Sequence, residues 1–256
     1  MYRVAVCYEL GVGTRKDDIR AFSWFERASK IGVITAMYKL GMCYLMGELS
    51  QQKSAAKAIE YFEKAAKSAD FNNPHSLYEL GKLYEGVYPI SSPVNNLSKS
   101  DGNFMRELRK IIVEINEKKA FEYYLRAAKL EHAPSQSKLG WCYEYGKLCC
   151  VIDPKRSVGW YSRAAAQGYA LAEMALCGWY ITGASGVLEK NDKEAYLWAR
   201  RAAEKGLAKA EYALGHFSEN GLGTAKSIEE AKRWYMRAAS QRHPKAIQRL
   251  QNMRGN

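Results

Sequence analysis

A nine-residue phrase recurs six times in this chain. It reads AFSWFERAS from Ala21, AIEYFEKAA from Ala58, AFEYYLRAA from Ala120, SVGWYSRAA from Ser157, AYLWARRAA from Ala195 and AKRWYMRAA from Ala231. The start-to-start steps are 37, 62, 37, 38 and 36 residues, so one copy carries an insertion and the others keep one period. A period in this range is the signature of stacked helical units, each burying its apolar face against the next. In such an array function resides on a surface more often than in a pocket.

A second phrase precedes most copies of the first: AMYKLGMCYLMG from Ala36, SLYELGKLYEG from Ser76, SQSKLGWCYEYG from Ser135, AEMALCGWYITG from Ala172 and AEYALGHFSENG from Ala210. A small residue, Leu four later, then Gly, then an apolar and aromatic pair is helical spacing. The Gly after Leu40, Leu80, Leu139 and Leu214 falls mid-helix, where it costs about 1 kcal/mol relative to Ala. A recurrent cost at one position implies a steric reason, and close approach of a neighbouring helix is the simplest. Cys177 takes that slot in the fifth unit, which predicts a slightly wider crossing there. Gly47, Gly86, Gly146, Gly183 and Gly221 end the phrase as left-handed stops. Each unit thus reads as helix A, loop, helix B and tight turn. Trp24, Tyr61, Tyr123, Trp160, Trp198 and Trp234 share one slot of helix B, and an aromatic row at this spacing reads as core.

The units run over residues 1–34, 35–70, 71–132, 133–169, 170–207 and 208–243, with a terminal half-repeat at 244–256. The first unit lacks the opening of helix A and the last has no helix B, so the chain reads as a fragment or a reduced version of a longer protein. The third unit holds the insertion, at 87–117. Its first part is rich in Pro, Ser and Asn and reads as a surface loop. Its second part places Phe104, Leu108, Ile111, Ile112 and Ile115 on one helical face. That face suits an elongated helix B packed on the scaffold; the alternative is a docking element for a partner or membrane.

The formal charge is +12, and from Lys226 to Asn256 eight basic residues face two acidic ones. Such a balance favours acidic partners, whether anionic lipid, nucleic acid or protein. No run of 18 apolar residues exists to cross a bilayer. Cys7, Cys43 and Cys142 share a slot with Leu83, Trp179 and Phe217, so they read as buried packing residues in a reducing, cytoplasmic setting. Adjacent Cys149 and Cys150 fall in a loop and read as exposed bystanders. HExxH, paired CxxC and GxSxG motifs are missing, the four histidines are dispersed, and no enzyme, cofactor or metal site is expected.

The combination of AEYALG, G-x-G and the A-x-x-W-Y-x-x-A-A run resembles the Sel-one-like repeat family, cousins of the tetratricopeptide repeats, over essentially the whole chain. The resemblance implies an all-α, right-handed α-solenoid of about six helix-turn-helix repeats. Within it, GWYITGASGVLEKND from Gly178 and AYLWARRAAEKGLAKAEYALG through Gly215 are similar to the fungal chitin synthase regulators. That narrower likeness implies a noncatalytic scaffold that binds a membrane chitin synthase, activates or localises it for cell-wall or septum synthesis, and sits at the inner face of the plasma membrane through its partner. Alternatives are an adaptor of a ubiquitin ligase or kinase complex and, less favoured, an RNA-binding solenoid. The variable helix-A slot Lys39, Glu79, Lys138, Ala175, Ala213 looks unlike a nucleotide code, and no small-molecule substrate is implied. Many family members end in a prenylation box, which Met253-Arg254-Gly255-Asn256 is not. Membrane contact would then pass through the partner or the basic C-terminal region. The residues expected to bind the partner are Lys82, Lys138, Trp141 and Glu144 on a concave helix-A face, with Arg233, Arg237 and Arg249 as an electrostatic rim. Reversing the charge of those three arginines is expected to weaken association without unfolding the chain.

Overall fold

All six nine-residue phrases fold into 13-residue α-helices that begin in the same way. In the computed structural model, which describes residues 1–87, 99–111 and 116–254, the B helices are α2 (Asp18–Lys30), α4 (Ala55–Lys67), α7 (Glu117–Lys129), α9 (Pro154–Ala166), α11 (Asp192–Glu204) and α13 (Ile228–Ser240). Asp17, Ser54, Asn116, Asp153, Asn191 and Ser227 precede them, and each side chain accepts a hydrogen bond from the backbone N–H three residues on. Each such cap contributes about 1 kcal/mol. The A helices are α1 (Tyr2–Leu10), α3 (Ile34–Met46), α5 (His75–Glu85), α8 (Ala133–Tyr145), α10 (Ala170–Thr182), α12 (Ala208–Asn220) and α14 (Pro244–Arg254). Gly11, Gly47, Gly86 and Gly221 close α1, α3, α5 and α12 in the left-handed conformation. Five of the six B-to-A turns pass through positive φ, at Gly32, Gly168 and Gly206 and, without glycine, at Glu131 (58°) and Arg242 (61°). Among the described residues the one extended pairing is an isolated bridge between Ala184 and Leu188.

The chain divides into two compact units, residues 1–132 and 133–256. In each, successive A and B helices pack side by side in chain order, the arrangement of an α-solenoid. The recurring glycine is explained by an aromatic ring. A Cβ on Gly41 would lie 2.5 Å from Phe62, on Gly81 2.7 Å from Tyr124, on Gly140 2.8 Å from Tyr161 and on Gly215 2.5 Å from Tyr235. All four rings are buried and belong to the helix B that follows. In the fifth unit the sizes are exchanged: Cys177 takes the glycine slot and Ala199 the ring slot, both fully buried. The larger residue in the glycine slot is matched by a smaller one in the ring slot, so Cys177 meets no ring there.

One correction concerns the aromatic row. Trp24, Tyr61, Tyr123, Trp160, Trp198 and Trp234 are half-buried, and the core ring stands one residue later, at Phe25, Phe62, Tyr124, Tyr161 and Tyr235. A second concerns the insertion. Residues 99–111 form a separate helix, α6 (Lys99–Ile111), and α7 starts afresh at its own Asn116 cap, so helix B is not elongated. Phe104 and Leu108 join the core of the first unit. Glu107 accepts hydrogen bonds from Ser54 Oγ at 3.0 Å, Ala55 N at 2.8 Å and Ala56 N at 3.2 Å. A carboxylate there also complements the positive end of the α4 dipole. Asp101 and Lys53 form a mostly buried ion pair beside it. The insertion helix is therefore part of the scaffold; Ile112 and Ile115 lie outside the described residues.

Candidate partner-binding surface

A row of aromatic rings, each capped by a cation, runs along the B helices of each unit. Helix B places an aromatic residue and a base three positions apart, one helical turn, so the base lies over the ring. Arg27 covers Trp24 at 4.9 Å, Lys64 covers Tyr61 at 5.1 Å and Arg126 covers Tyr123 at 5.9 Å in the first unit. Arg163 over Trp160 at 4.7 Å, Arg201 over Trp198 at 4.6 Å and Arg237 over Trp234 at 4.7 Å repeat the motif in the second. In two repeats the stack grows to four layers. Tyr44 and Tyr61 stack at 5.9 Å with Lys57 over Tyr44, and Tyr84 and Tyr123 at 5.6 Å with Lys119 over Tyr84. Burial, aided by the nearby Glu26 carboxylate, pushes the Tyr61 hydroxyl up to about 12, so it stays a neutral donor. Half-exposed Trp and Tyr pre-ordered by Arg are the residue types that dominate binding energy at interfaces.

The residues singled out from the sequence divide between the two units and between two roles. Lys82, in the first unit, pairs with Glu79 at 2.7 Å and lies 5.4 Å from the Tyr78 ring. Glu79 is only 7% exposed, so Lys82 neutralises a buried acid. In the second unit, Lys138 Nζ stands 4.0 Å from the centre of the Trp141 ring. Trp141 itself is half-buried against the cluster of Tyr161, Ala172 and Leu176, and its ring lies 5.9 Å from that of Tyr145. Glu144 accepts a hydrogen bond from the buried Tyr161 hydroxyl at 2.7 Å. Burial and that carboxylate together hold the Tyr161 hydroxyl far above its ordinary value. The same bond joins Tyr124 to Glu85 at 2.7 Å and Tyr235 to Glu219 at 2.8 Å. Where the ring slot holds Phe62 or Ala199, the acid slot holds Leu45 or Ile181. Glu144 is thus one of three internal acceptors.

Of the three arginines, Arg233 is exposed and two are braces. Arg237 donates from Nε to Glu211 at 3.0 Å and from Nη2 to the Ala203 carbonyl at 3.4 Å, reaching back to the preceding helix B. Glu211 is 2% exposed and also accepts from Gln241 at 2.8 Å. The equivalent position on α10 pairs Glu173 with Lys205, and on α8 Gln136 with Gln167 at 2.8 Å. Arg249 grips both oxygens of Glu219, with Nε at 3.0 Å from one of them. That guanidinium holds the Glu219 carboxyl below its ordinary value, and the Tyr235 hydroxyl adds to the effect. Reversing Arg237 or Arg249 would set like charges against partly or fully buried acids. The expectation that a triple reversal spares the fold is therefore withdrawn. Arg233 lines a groove of about 550 Å³ with Ser227, Glu229, Glu230, Trp234 and Arg237. Lys138 and Trp141 are half-buried and Arg233 is exposed. Reading the aromatic-x-x-base spacing in every copy would have found the capped row, which sequence reasoning passed over.

Comparison with known proteins agrees with this architecture. The family model described as Sel1 repeat matches residues 1–33, 34–70, 110–132, 133–169, 170–207 and 208–243. Chitin synthase regulatory factor 3 of Schizosaccharomyces pombe is 39% identical over 98% of this chain and 25% of its own length. Chitin synthase regulator SKT5 of Saccharomyces cerevisiae is 33% identical over 99% of this chain and 34% of its own length. Activator of C kinase protein 1 of the same yeast is 37% identical over 98% of this chain and 41% of its own. The chain thus spans well under half the length of each of these relatives. A Sel1 repeat protein from Oxalobacter formigenes has the same fold in its crystal structure, with a TM-score of 0.74 and 25% identity over 94% of this chain and 86% of that one.

Proposed function

Because the chain belongs to the Sel1 repeat family, we propose that it acts as a noncatalytic adaptor that binds a membrane chitin synthase and activates or localises it. The observation that carries this reading is the 39% identity, across nearly the whole chain, to a protein named for regulating chitin synthase. The side chains agree with a scaffold role. The buried carboxylates Glu173 and Glu211 face Lys205 and Arg237 or Gln241 rather than a common reaction centre. What stands open to a partner is the pattern of Trp, Tyr and Arg stacks, with the Lys138–Trp141 pair and Arg233 as anchors. The described residues contain no helix long and apolar enough to cross a membrane; the adaptor would meet the inner face of the plasma membrane through its partner.

The test is chitin synthase activity in membranes from the protein's own cells, with the chain depleted and then restored as purified protein. Recovery on restoration is expected; unchanged activity in both states would defeat the reading. The identity to Activator of C kinase protein 1 favours a second reading, an adaptor in a kinase pathway. It predicts that depletion alters kinase signalling while chitin synthase activity stays constant.

A further inference from the structure

The loop joining α8 to α9 carries an apolar tip that folding does not require. Val151 is 83% exposed and Ile152 63%, with Tyr145 at 53% on the last turn of α8. Cys149 is exposed and Cys150 half-buried. Burying such groups is what apolar residues ordinarily do, and a contiguous exposed apolar tip marks a contact site.

A sister loop in the first unit shows that the backbone does not need these side chains. The α3–α4 loop makes the same bonds: Glu48 N to Cys43 O at 3.0 Å, Gln51 N to Glu48 O at 3.0 Å, and Ser54 N to Tyr44 O at 2.9 Å. In the α8–α9 loop these are Lys147 N to Cys142 O at 2.9 Å, Cys150 N to Lys147 O at 3.1 Å, and Asp153 N to Tyr143 O at 2.9 Å. Both loops pass through the left-handed region twice, at Leu49 and Ser50 (50° and 60°) and at Leu148 and Cys149 (52° and 62°). In each the leucine is buried as the anchor. Yet the sister loop continues Ser50-Gln51-Gln52-Lys53 where this one continues Cys149-Cys150-Val151-Ile152. One backbone thus serves two chemistries, and the apolar one answers to something outside the fold.

The charges around the tip say what that is. Lys147 and Lys155 are exposed and make no ion pair among the described residues. Arg156 is exposed, its guanidinium 5.4 Å from the Tyr143 ring centre. Of the nearby acids, Asp153 caps α9 and stands 3.3 Å from Arg156, while Glu144 is held by Tyr161. The result is an exposed apolar tip flanked by basic residues. The geometry points to this loop as a membrane-contacting element. Val151 and Ile152 would enter the headgroup–acyl boundary, Tyr145 would sit at the interface, and the basic residues would meet anionic headgroups. A protein groove could also take an apolar side chain, but an anionic bilayer uses both the exposed tip and the unpaired lysines beside it.

The experiment is co-sedimentation of the full chain with vesicles of equimolar phosphatidylcholine and phosphatidylserine, and of phosphatidylcholine alone. The key variant grafts the sister sequence: Cys149→Ser, Cys150→Gln, Val151→Gln and Ile152→Lys together. It adds a positive charge, so electrostatics alone predicts tighter binding to the mixed vesicles. Insertion of the tip predicts at least about tenfold weaker binding. Lys147→Glu with Lys155→Glu should abolish the preference for phosphatidylserine. Should the graft fail to keep wild-type helicity, Val151→Ser with Ile152→Ser gives the same comparison with less change. Wild-type protein that ignores both vesicles, or a folded graft that binds as well as wild type, overturns the proposal; the former is also what a protein-binding loop would give. The vesicles contain no protein, so failure here leaves the chitin synthase reading standing.

Discussion

Replacing Gly41 by Cys tests the packing rule on which every repeat is built. The ring of Phe62 is fully buried, and the new Cβ would stand 2.5 Å from its Cε1 and 2.6 Å from its Cδ1. The ring cannot retreat into solvent, so the helices must shift or the side chain must leave its rotamer. Overpacking of this kind costs about 1–3 kcal/mol. Leaving glycine in mid-helix returns a few tenths of a kcal/mol. The net loss should be about 1–2.5 kcal/mol. Phe62→Ala alone should cost about 3–5 kcal/mol through the cavity it opens. Together the two substitutions recreate the Cys177–Ala199 pair of the fifth unit, so the double variant should be more stable than the sum of the singles by at least about 1 kcal/mol. Urea unfolding of all four proteins, followed by far-ultraviolet circular dichroism, gives the cycle. A Gly41→Cys protein as stable as wild type, or strictly additive losses, would refute the reasoning.

Four further outcomes are expected. Burial, with His75 beside it, holds the His132 imidazole down to about 4 from an ordinary 6.5. The unfolded chain therefore binds a proton there that the folded chain refuses, and stability falls as pH drops from 6.5 toward 4. The slope from this residue approaches about 1.4 kcal/mol per pH unit; urea midpoints across that window should be flatter for His132→Phe. Arg237→Ala leaves the buried Glu211 with Gln241 alone and should cost about 2 kcal/mol, discounted because the arginine is half exposed. Arg233→Ala should stay within about 0.5 kcal/mol of wild type in the same assay. Arg242 holds a left-handed φ of 61° where Gly32, Gly168 and Gly206 stand in other units. Arg242→Gly should therefore raise the thermal midpoint, by up to about 1 kcal/mol of stability.

The repeat made the helices, their order and their glycine stops legible, because period and stop signals are local. What it left ambiguous is rotation about the helix axis. In the W-Y and Y-F pairs of helix B, adjacent residues are separated by about 100°, and periodicity alone does not say which of two neighbouring aromatics points inward. The first was read as core; the second is. Lining up the copies resolves it, because only the second ring shrinks to Ala199 where the facing glycine becomes Cys177. The same alignment joins Glu85, Glu144 and Glu219 to tyrosines and Leu45 to Phe62, and would have removed Glu144 from the binding residues. Arg237 and Arg249 misled for a related reason. A basic balance counts charges, while the acids that absorb these two, Glu211 and Glu219, lie 26 and 30 residues upstream on α12. The insertion helix was legible as amphipathic, but not its role in capping α4 through Glu107, since that contact spans about fifty residues of chain.

The most direct test of the adaptor reading is purification of the tagged protein from its own cells in mild detergent, with mass spectrometry of its companions. A chitin synthase enriched with the wild-type chain, and diminished when Lys138, Trp141 and Arg233 are replaced together, is the predicted result. A specific partner set without any chitin synthase, equally retained by that variant, would contradict both the partner and the surface.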